Sequence, residues 1–309
     1  MAVRRLIESN DIDIVHVDGI TNFAPALAAR LARRPVVWHY DDHVPGLLRG
    51  MLLRMVNALA CAVIVQGRRM RDDRAGAIPS LHAKTVTLPS AVDPETLCRK
   101  NYAADTRARI RAGLGVGADG PLVGMIGNMN RFKGHAYFIQ AARRIKEQMG
   151  NARFVIVGRK LDTDLAYWGR LQRLTAECGL EEDVVYAGFR DDVPAILAAL
   201  DVFVLPSILE SCPVALLEAM AMKTPVVATD VGAVAEMIDS GRTGFIVPPR
   251  DPQAIAEAVL AILALPPDRV RDMVERARKT VEGDFSVETV ARQQLQLYER
   301  LPGLGVRHA

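Results

Sequence analysis

Residues 201–229 read DVFVLPSILESCPVALLEAMAMKTPVVAT and hold one complete structural repeat. Its opening run, Val202 to Leu205, is apolar and partly β-branched. A polar loop carrying Glu210 follows, Pro213 starts a helix that carries Glu218, and Pro225 precedes a second β-branched run, Val226 to Thr229. Short apolar runs bounded by turn residues suit strands covered on both faces, and a proline is tolerated in the first turn of a helix, where its missing N–H costs nothing. Strand, loop, helix, strand is the repeating unit of a parallel α/β sheet.

Outward from this unit the alternation continues. Upstream lie PLVGMIGN, a helix over 134–149, ARFVIVG, a helix over 164–178, DVVYAG and a helix over 193–200. Downstream lie GAVAEMI, TGFIVP and two or three C-terminal helices. Together they spell a full doubly wound domain with a helical tail. In the first hundred residues IDIVHV (12–17), PVVWHY (35–40), CAVIVQ (61–66) and KTVTLP (84–89) alternate with helical stretches, and these too read as buried parallel strands. Residues 101–120 lose that rhythm and collect four glycines, which reads as a short helix and a linker. The expected division is therefore 1–112 for a first domain, 113–120 for a linker, 121–284 for a second domain and 285–309 for a C-terminal helix returning toward the first. Gly113, Gly115 and Gly117 precede a strand instead of following one, so they are not a dinucleotide-binding turn.

Composition bounds the function. The chain has 309 residues, 50% hydrophobic and 24% charged, which excludes disorder and, being longer than the roughly 250 residues of a single core, favours two domains. Cys61, Cys98, Cys178 and Cys212 form no CxxC pair, and the histidines form no zinc-binding cluster. A reducing, cytoplasmic setting without a structural metal is expected. The first ten residues lack the apolar core of a signal peptide and read as one amphipathic helix through Val3, Leu6 and Ile7. Residues 1–112 hold 17 Lys and Arg against 11 Asp and Glu, so the basic excess sits in the first half. Helix 45–59, with Arg49 and Arg54, and the basic stretch Arg68, Arg69, Arg71 suit either a solvated face or peripheral contact with an anionic membrane. Nucleic acid is not an expected partner.

In an open parallel sheet ligands bind beyond the carboxyl ends of the strands, which directs attention to 127–134, 158–164, 188–190 and 206–218. Gly127, Asn128, Arg131, Lys133 and Gly134 form a turn into a helix and place two cations near free N–H groups, a receptor for a diphosphate. Arg131 and Lys133 could equally be exposed turn residues. Glu210 and Glu218 can face the same cleft, where a carboxylate can accept hydrogen bonds from vicinal sugar hydroxyls; Glu210 could instead cap the helix, and Glu218 could lie on a wet face.

The ordered set of a Lys-Gly turn, VGR after the next strand, YAGFRDDVPAILAALDVFVLPSILESCPVALLEAMAMKTPVVATDVGAVAEMI and GRTGFIVPP resembles the family-four retaining glycosyltransferases of GT-B fold. It covers 121–301 strongly and the first domain weakly. The resemblance implies two Rossmann-like parallel-sheet domains, the first incomplete. It implies transfer of a hexose, with retention, from a nucleoside diphosphate sugar to a glycan or lipid-linked acceptor, without metal or cofactor. Arg131 and Lys133 would neutralise the diphosphate, Glu218 would hold the ribose, and Glu210 would orient the transferred sugar. The backbone of Ser211, Cys212, Pro213 and Val214, through the N–H groups it has, would line sugar and phosphate, and Gly188 and Phe189 would lie beside the base. The family's usual arginine after the first glycine of the turn is Asn128 here, which passes its role to Arg131. The family's histidine falls at Asp41, leaving His39 or His43 as candidates, and His39 is retained as the catalytic one. Asp162-Thr163-Asp164 spells DxD, yet at the start of a helical run it reads as helix capping. Roughly 80 residues of a usual first domain are expected to be missing, counted as two or three strand–helix units of about 30 residues. The rival readings are a catalytically silent donor-binding partner or fragment, and a nucleotide-sugar epimerase of the same fold.

Overall fold

The computed structural model describes residues 2–40, 46–103, 105–117 and 120–301. Contacts divide the chain into two units, 1–90 with 288–309, and 91–287. The α/β class is as expected.

The first unit holds four parallel strands in simple order, β1 Val15–Asp18, β2 Val36–His39, β3 Ala62–Val65 and β4 Thr85–Thr87. Because side chains alternate along a strand, Val36, Trp38, Val63 and Val65 face one layer, formed with Ile7, Ala26, Ala29, Leu53 and Val56 from helices Ala2–Ser9, Phe23–Leu31 and Gly46–Leu59. Val37, Ala62 and Ile64 face the other layer with Leu297, Tyr298 and Leu301 of the C-terminal segment. The expected amphipathic stripe of the first helix is only partly used: Ile7 is buried, whereas Leu6 is 63% exposed.

The second unit holds six parallel strands, β5 Leu122–Ile126, β6 Arg153–Val157, β7 Val184–Gly188, β8 Val202–Leu205, β9 Val226–Thr229 and β10 Phe245–Val247. Their order is β10-β9-β8-β5-β6-β7, the doubly wound arrangement whose winding reverses between β5 and β8. Every residue of β8 and β9 is buried, which accounts for their unbroken apolar runs. Helix Val214–Ala221 is anchored by Leu216, Leu217 and Met220, all fully buried, each stabilising the fold by about 1.5–3 kcal/mol.

Residues 91–112 correct the expected division, for they pack with the second unit. Helix Thr106–Gly113 lies on helix Val193–Ala199. Arg107 donates to both Asp201 carboxylate oxygens at 2.8 and 2.9 Å and to the Ala199 carbonyl at 2.8 Å, and Asp201 also accepts from the Leu122 N–H at 2.8 Å. Arg278 reaches the carbonyls of Pro94 and Leu97 at 2.7 and 2.8 Å. Of the glycines that read as a linker, Gly113 ends helix Thr106–Gly113, and Gly115 and Gly120 take positive φ, +70° and +86°. No helix among the described residues is long and apolar enough to cross a membrane.

Candidate active site

The crevice at the reversal point is built by the segments that leave β5 and β8. After β5 the chain passes through a short 3-10 turn, Arg131–Lys133, capped by Asn130, whose Oδ1 accepts from the N–H groups of Phe132 and Lys133 at 2.9 and 3.2 Å. Gly134 follows with φ +72°, and a Cβ there would sit 1.8 Å from the Pro206 carbonyl oxygen. The Phe132 carbonyl accepts from the Ile208 N–H at 2.7 Å. These contacts weld the two loops together.

Lys133 and Glu210 meet in this weld. Lys133 Nζ lies 2.7 Å from Glu210 Oε1, and the same oxygen accepts from Ser207 Oγ at 2.8 Å. The Glu210 side chain is only 10% exposed, so two donors satisfy a carboxylate largely removed from water. Behind the loop, a Cβ on Gly232, which has φ +54°, would lie 2.4 Å from the carbonyl oxygens of Glu210 and Ser211, and Ala233 N–H bonds to Ser211 O at 2.8 Å. Cys212 is buried, and Val214 at the start of the helix is 43% exposed. Pro213 precedes that helix without a side-chain cap.

Glu218 differs from Glu210. It is half-buried, has no ion pair or side-chain hydrogen bond among the described residues, and its carboxyl is pushed above the usual range by burial alone. A half-buried carboxylate without a protein partner is an acceptor available to a ligand's hydroxyls.

The other expected residues take other places. Arg131 is mainly exposed, and its Nε bonds to Asp164 Oδ2 at 3.1 Å, which raises the guanidinium's pKa. Asp164 also caps helix Leu165–Glu177 by accepting from Tyr167 N–H at 3.2 Å, the capping role expected for it. Asn128 Oδ1 accepts from the Arg159 N–H at 3.0 Å and so fastens the loop after β6 to the loop after β5. Gly127 N–H bonds to Val157 O, and Gly158 N–H to Gly188 O, both at 2.8 Å. Phe189 is 61% exposed, and the Arg159 guanidinium lies 4.1 Å from its ring centroid.

His39 lies in the first unit, at the end of β2. Its ring centroid is 5.8 Å from that of His16, whose Nδ1 is 2.8 Å from the Tyr298 hydroxyl. Burial first, then His39, lowers the pKa of His16. Asp41 and His43 lie outside the described residues.

Sequence reasoning missed four contributors. Asn130 was legible, being a capping residue two and three positions before N–H groups that need an acceptor. Ser207, Arg159 and His135 were not, since their roles arise from contacts across the fold. His135 is fully buried, with Nε2 3.2 Å from the Gly127 carbonyl. Burial lowers its pKa to about 4 against the opposing pull of the Gly127 and Asn130 carbonyls.

Residues 120–264 match the family described as Glycosyl transferases group 1. The chain is 34% identical over 185 residues to the putative colanic acid biosynthesis glycosyltransferase WcaL of Escherichia coli, covering 57% of this chain and 44% of that protein. It thus spans less than half the length of the WcaL proteins it matches. It is 26% identical to the 2-deoxystreptamine glucosyltransferase of Streptomyces kanamyceticus over 95% of this chain and 78% of the other. Among solved structures it superposes on Anabaena HepE in complex with UDP and glucose with a TM-score of 0.86, at 23% identity, covering 96% of this chain and 81% of that one. It also superposes on sucrose-phosphate synthase from Thermosynechococcus elongatus with a TM-score of 0.79, at 25% identity, covering 97% and 76%. Two Rossmann-like parallel-sheet units of the GT-B class are thereby established.

Proposed function

We propose that this chain, whose residues 120–264 carry a glycosyl transferases group 1 domain, transfers a hexose from a nucleoside diphosphate sugar to a glycan or lipid-linked acceptor, retaining the anomeric configuration. The observation that carries the reading is the pairing of Lys133 with Glu210 at the reversal point of the six-stranded sheet, on the same segment as Glu218, which has no ion pair among the described residues.

In this reading Lys133 exchanges Glu210 for the donor diphosphate, a partner of higher charge, and Glu210 is released to accept hydrogen bonds from the transferred sugar. Glu218 takes the ribose hydroxyls. Arg131 leaves Asp164 to join the diphosphate, and the N–H groups of Gly134, Ser211, Cys212 and Val214 supply further donors. Phe189, beside Gly188 and beneath Arg159, offers a ring face to the base.

In the transfer itself, the bond between the sugar's anomeric carbon and the β-phosphate oxygen breaks, and its electron pair leaves with the nucleoside diphosphate. The acceptor hydroxyl oxygen forms the new bond on the same face, and its proton passes to the departing phosphate oxygen. Fixed charge at Lys133 and aligned N–H dipoles stabilise the negative charge that builds there, so no protein nucleophile and no metal is invoked. The UDP named for HepE makes UDP-sugars the first donors to try, and the colanic acid named for WcaL points to a glycan acceptor.

Calorimetric titration with UDP, GDP, ADP and their glucose, N-acetylglucosamine and mannose conjugates, with hydrolysis followed in parallel, tests this. Binding that depends on the sugar, with slow release of nucleoside diphosphate, is expected. A folded sample that binds none of them overturns the proposal.

A further inference from the structure

Arg159 follows β6 as an exposed cation that has no ion pair among the described residues. Its backbone is fastened on both sides: the N–H donates to Asn128 Oδ1 at 3.0 Å, and the carbonyl accepts from the Met129 N–H at 2.9 Å. Its guanidinium lies 4.1 Å from the ring centroid of Phe189, itself 61% exposed. A ring face attracts the positive charge without accepting in-plane hydrogen bonds as a carboxylate does. The cation is thereby held in place, and its donors stay available to a ligand.

The ladder between β6 and β7 explains how Phe189 reaches it. Ile156 pairs with Tyr186 but Val157 pairs with Gly188, so Ala187 is one residue too many, a bulge of the kind that re-aims the chain. Gly188 then takes φ +67°, and a Cβ on it would meet nothing within 4 Å. Bulge and left-handed turn together send Phe189 out from the end of the strand beside open space. Along the carboxyl edge of the sheet the strands run β8, β5, β6, β7, and the loops after them carry in turn Glu210, Lys133, Arg159 and Phe189. With adjacent strands about 4.8 Å apart, β7 stands about 10 Å from β5, on the side away from Glu210. Sugar, diphosphate and nucleoside are met in that order.

We propose that Arg159 selects the nucleobase of the donor, taking a base with a carbonyl oxygen at the edge it meets, uracil or guanine, over the amino counterpart, cytosine or adenine. This rests on the donor-site reading above and adds a class of base to it. A guanidinium carries five N–H donors and no acceptor. Opposite a carbonyl oxygen it forms hydrogen bonds; opposite an amino group it sets donor against donor and leaves both unsatisfied, which costs more than a contact merely absent. The planar fork that pairs with the oxygen of guanine in nucleic acids is the same group. Because Asn128, Met129 and Phe189 already hold Arg159, little freedom is lost when the base arrives.

The test is calorimetric titration of the full chain with two matched pairs, UDP with CDP and GDP with ADP. In whichever pair the site accepts, the carbonyl member should bind at least about tenfold more tightly than the amino member. Arg159→Ala should bring that ratio down to about threefold or less, chiefly by weakening the carbonyl member. Arg159 is exposed, so thermal unfolding of the variant should match the parent, and its retained binding of the amino nucleotide shows that the site is intact. Equal affinity for both members in the parent, or a ratio that survives Arg159→Ala, overturns the proposal and leaves the donor site standing. Equal weakening of both members by Arg159→Ala marks a contact with the phosphates and overturns it likewise. A folded parent that binds none of the four overturns the donor-site reading, and this inference with it.

Discussion

Lys133 Nζ and Glu210 Oε1 lie 2.7 Å apart although 77 positions separate them in the chain, and they close an ion pair at the reversal point of the six-stranded sheet. The two residues proposed to serve opposite ends of one donor, its diphosphate and its sugar, neutralise each other in this structure. A buried charge left alone is costly, so each holds the other in place until something better arrives.

Removing one partner or the other should therefore affect nucleotide binding differently. Lys133→Ala should weaken UDP binding by about 10–100-fold, the value of one or two hydrogen bonds to a charged group. Glu210→Gln should leave UDP binding undiminished, since Lys133 no longer has a carboxylate to abandon, while sugar-dependent binding and turnover fall. Calorimetry with UDP and UDP-sugar reads both. Unchanged UDP binding by Lys133→Ala would remove the phosphate site.

Gly134→Ala should destabilise the second unit by more than about 3 kcal/mol, because its positive φ and a Cβ 1.8 Å from the Pro206 carbonyl act together. A urea midpoint within error of the parent would show that the weld between the two loops can shift freely.

Acid should act on His135. Its pKa in the folded protein is lowered from 6.5 to about 4, so the unfolded chain takes up a proton that the folded one refuses. The stability it protects is complete above pH 6.5 and is lost as pH falls toward about 4, by roughly 2–3 kcal/mol at pH 4.5. Urea unfolding of the parent and of His135→Gln at pH 7.5 and 4.5 checks this. The variant, though less stable at pH 7.5, should lose less between the two.

Glu218 carries the reverse sign. Its folded pKa is raised, so folding is favoured by protonation, and that contribution is lost as pH rises through the raised value. Glu218→Gln should accordingly be more stable than the parent at pH 7.5, with the advantage vanishing below the usual carboxyl pKa of about 4.3. The same variant should bind UDP more weakly at pH 7.5, and parent affinity should fall as pH drops through the raised pKa and the carboxylate protonates. A variant that gains stability and keeps full affinity would show that Glu218 has no part in binding.

Much of the fold is local and so could be read along the chain. The apolar runs of β8 and β9, the Pro213 helix start, and the turn at 127–134 are set by side-chain period and backbone preference within a few residues. Glu210 and Glu218 could be nominated by residue type and by their place after a strand. Residues 91–112 could not be assigned in this way, because the glycines that follow them look like a linker until Arg107 and Arg278 find partners about 90 and 180 positions away.

The alternation of strand and helix, the class of sheet it builds, and the loops where a ligand would sit were all written along the chain. Which charges meet was settled in three dimensions: Lys133 faces Glu210, Arg131 turns to Asp164, Glu218 has no ion pair among the described residues, and His135 is sealed from water. The physical reason is distance. Periodicity and turn chemistry act between near neighbours in the chain, whereas ion pairing and desolvation depend on separations in space, which exist only once the sheet has wound.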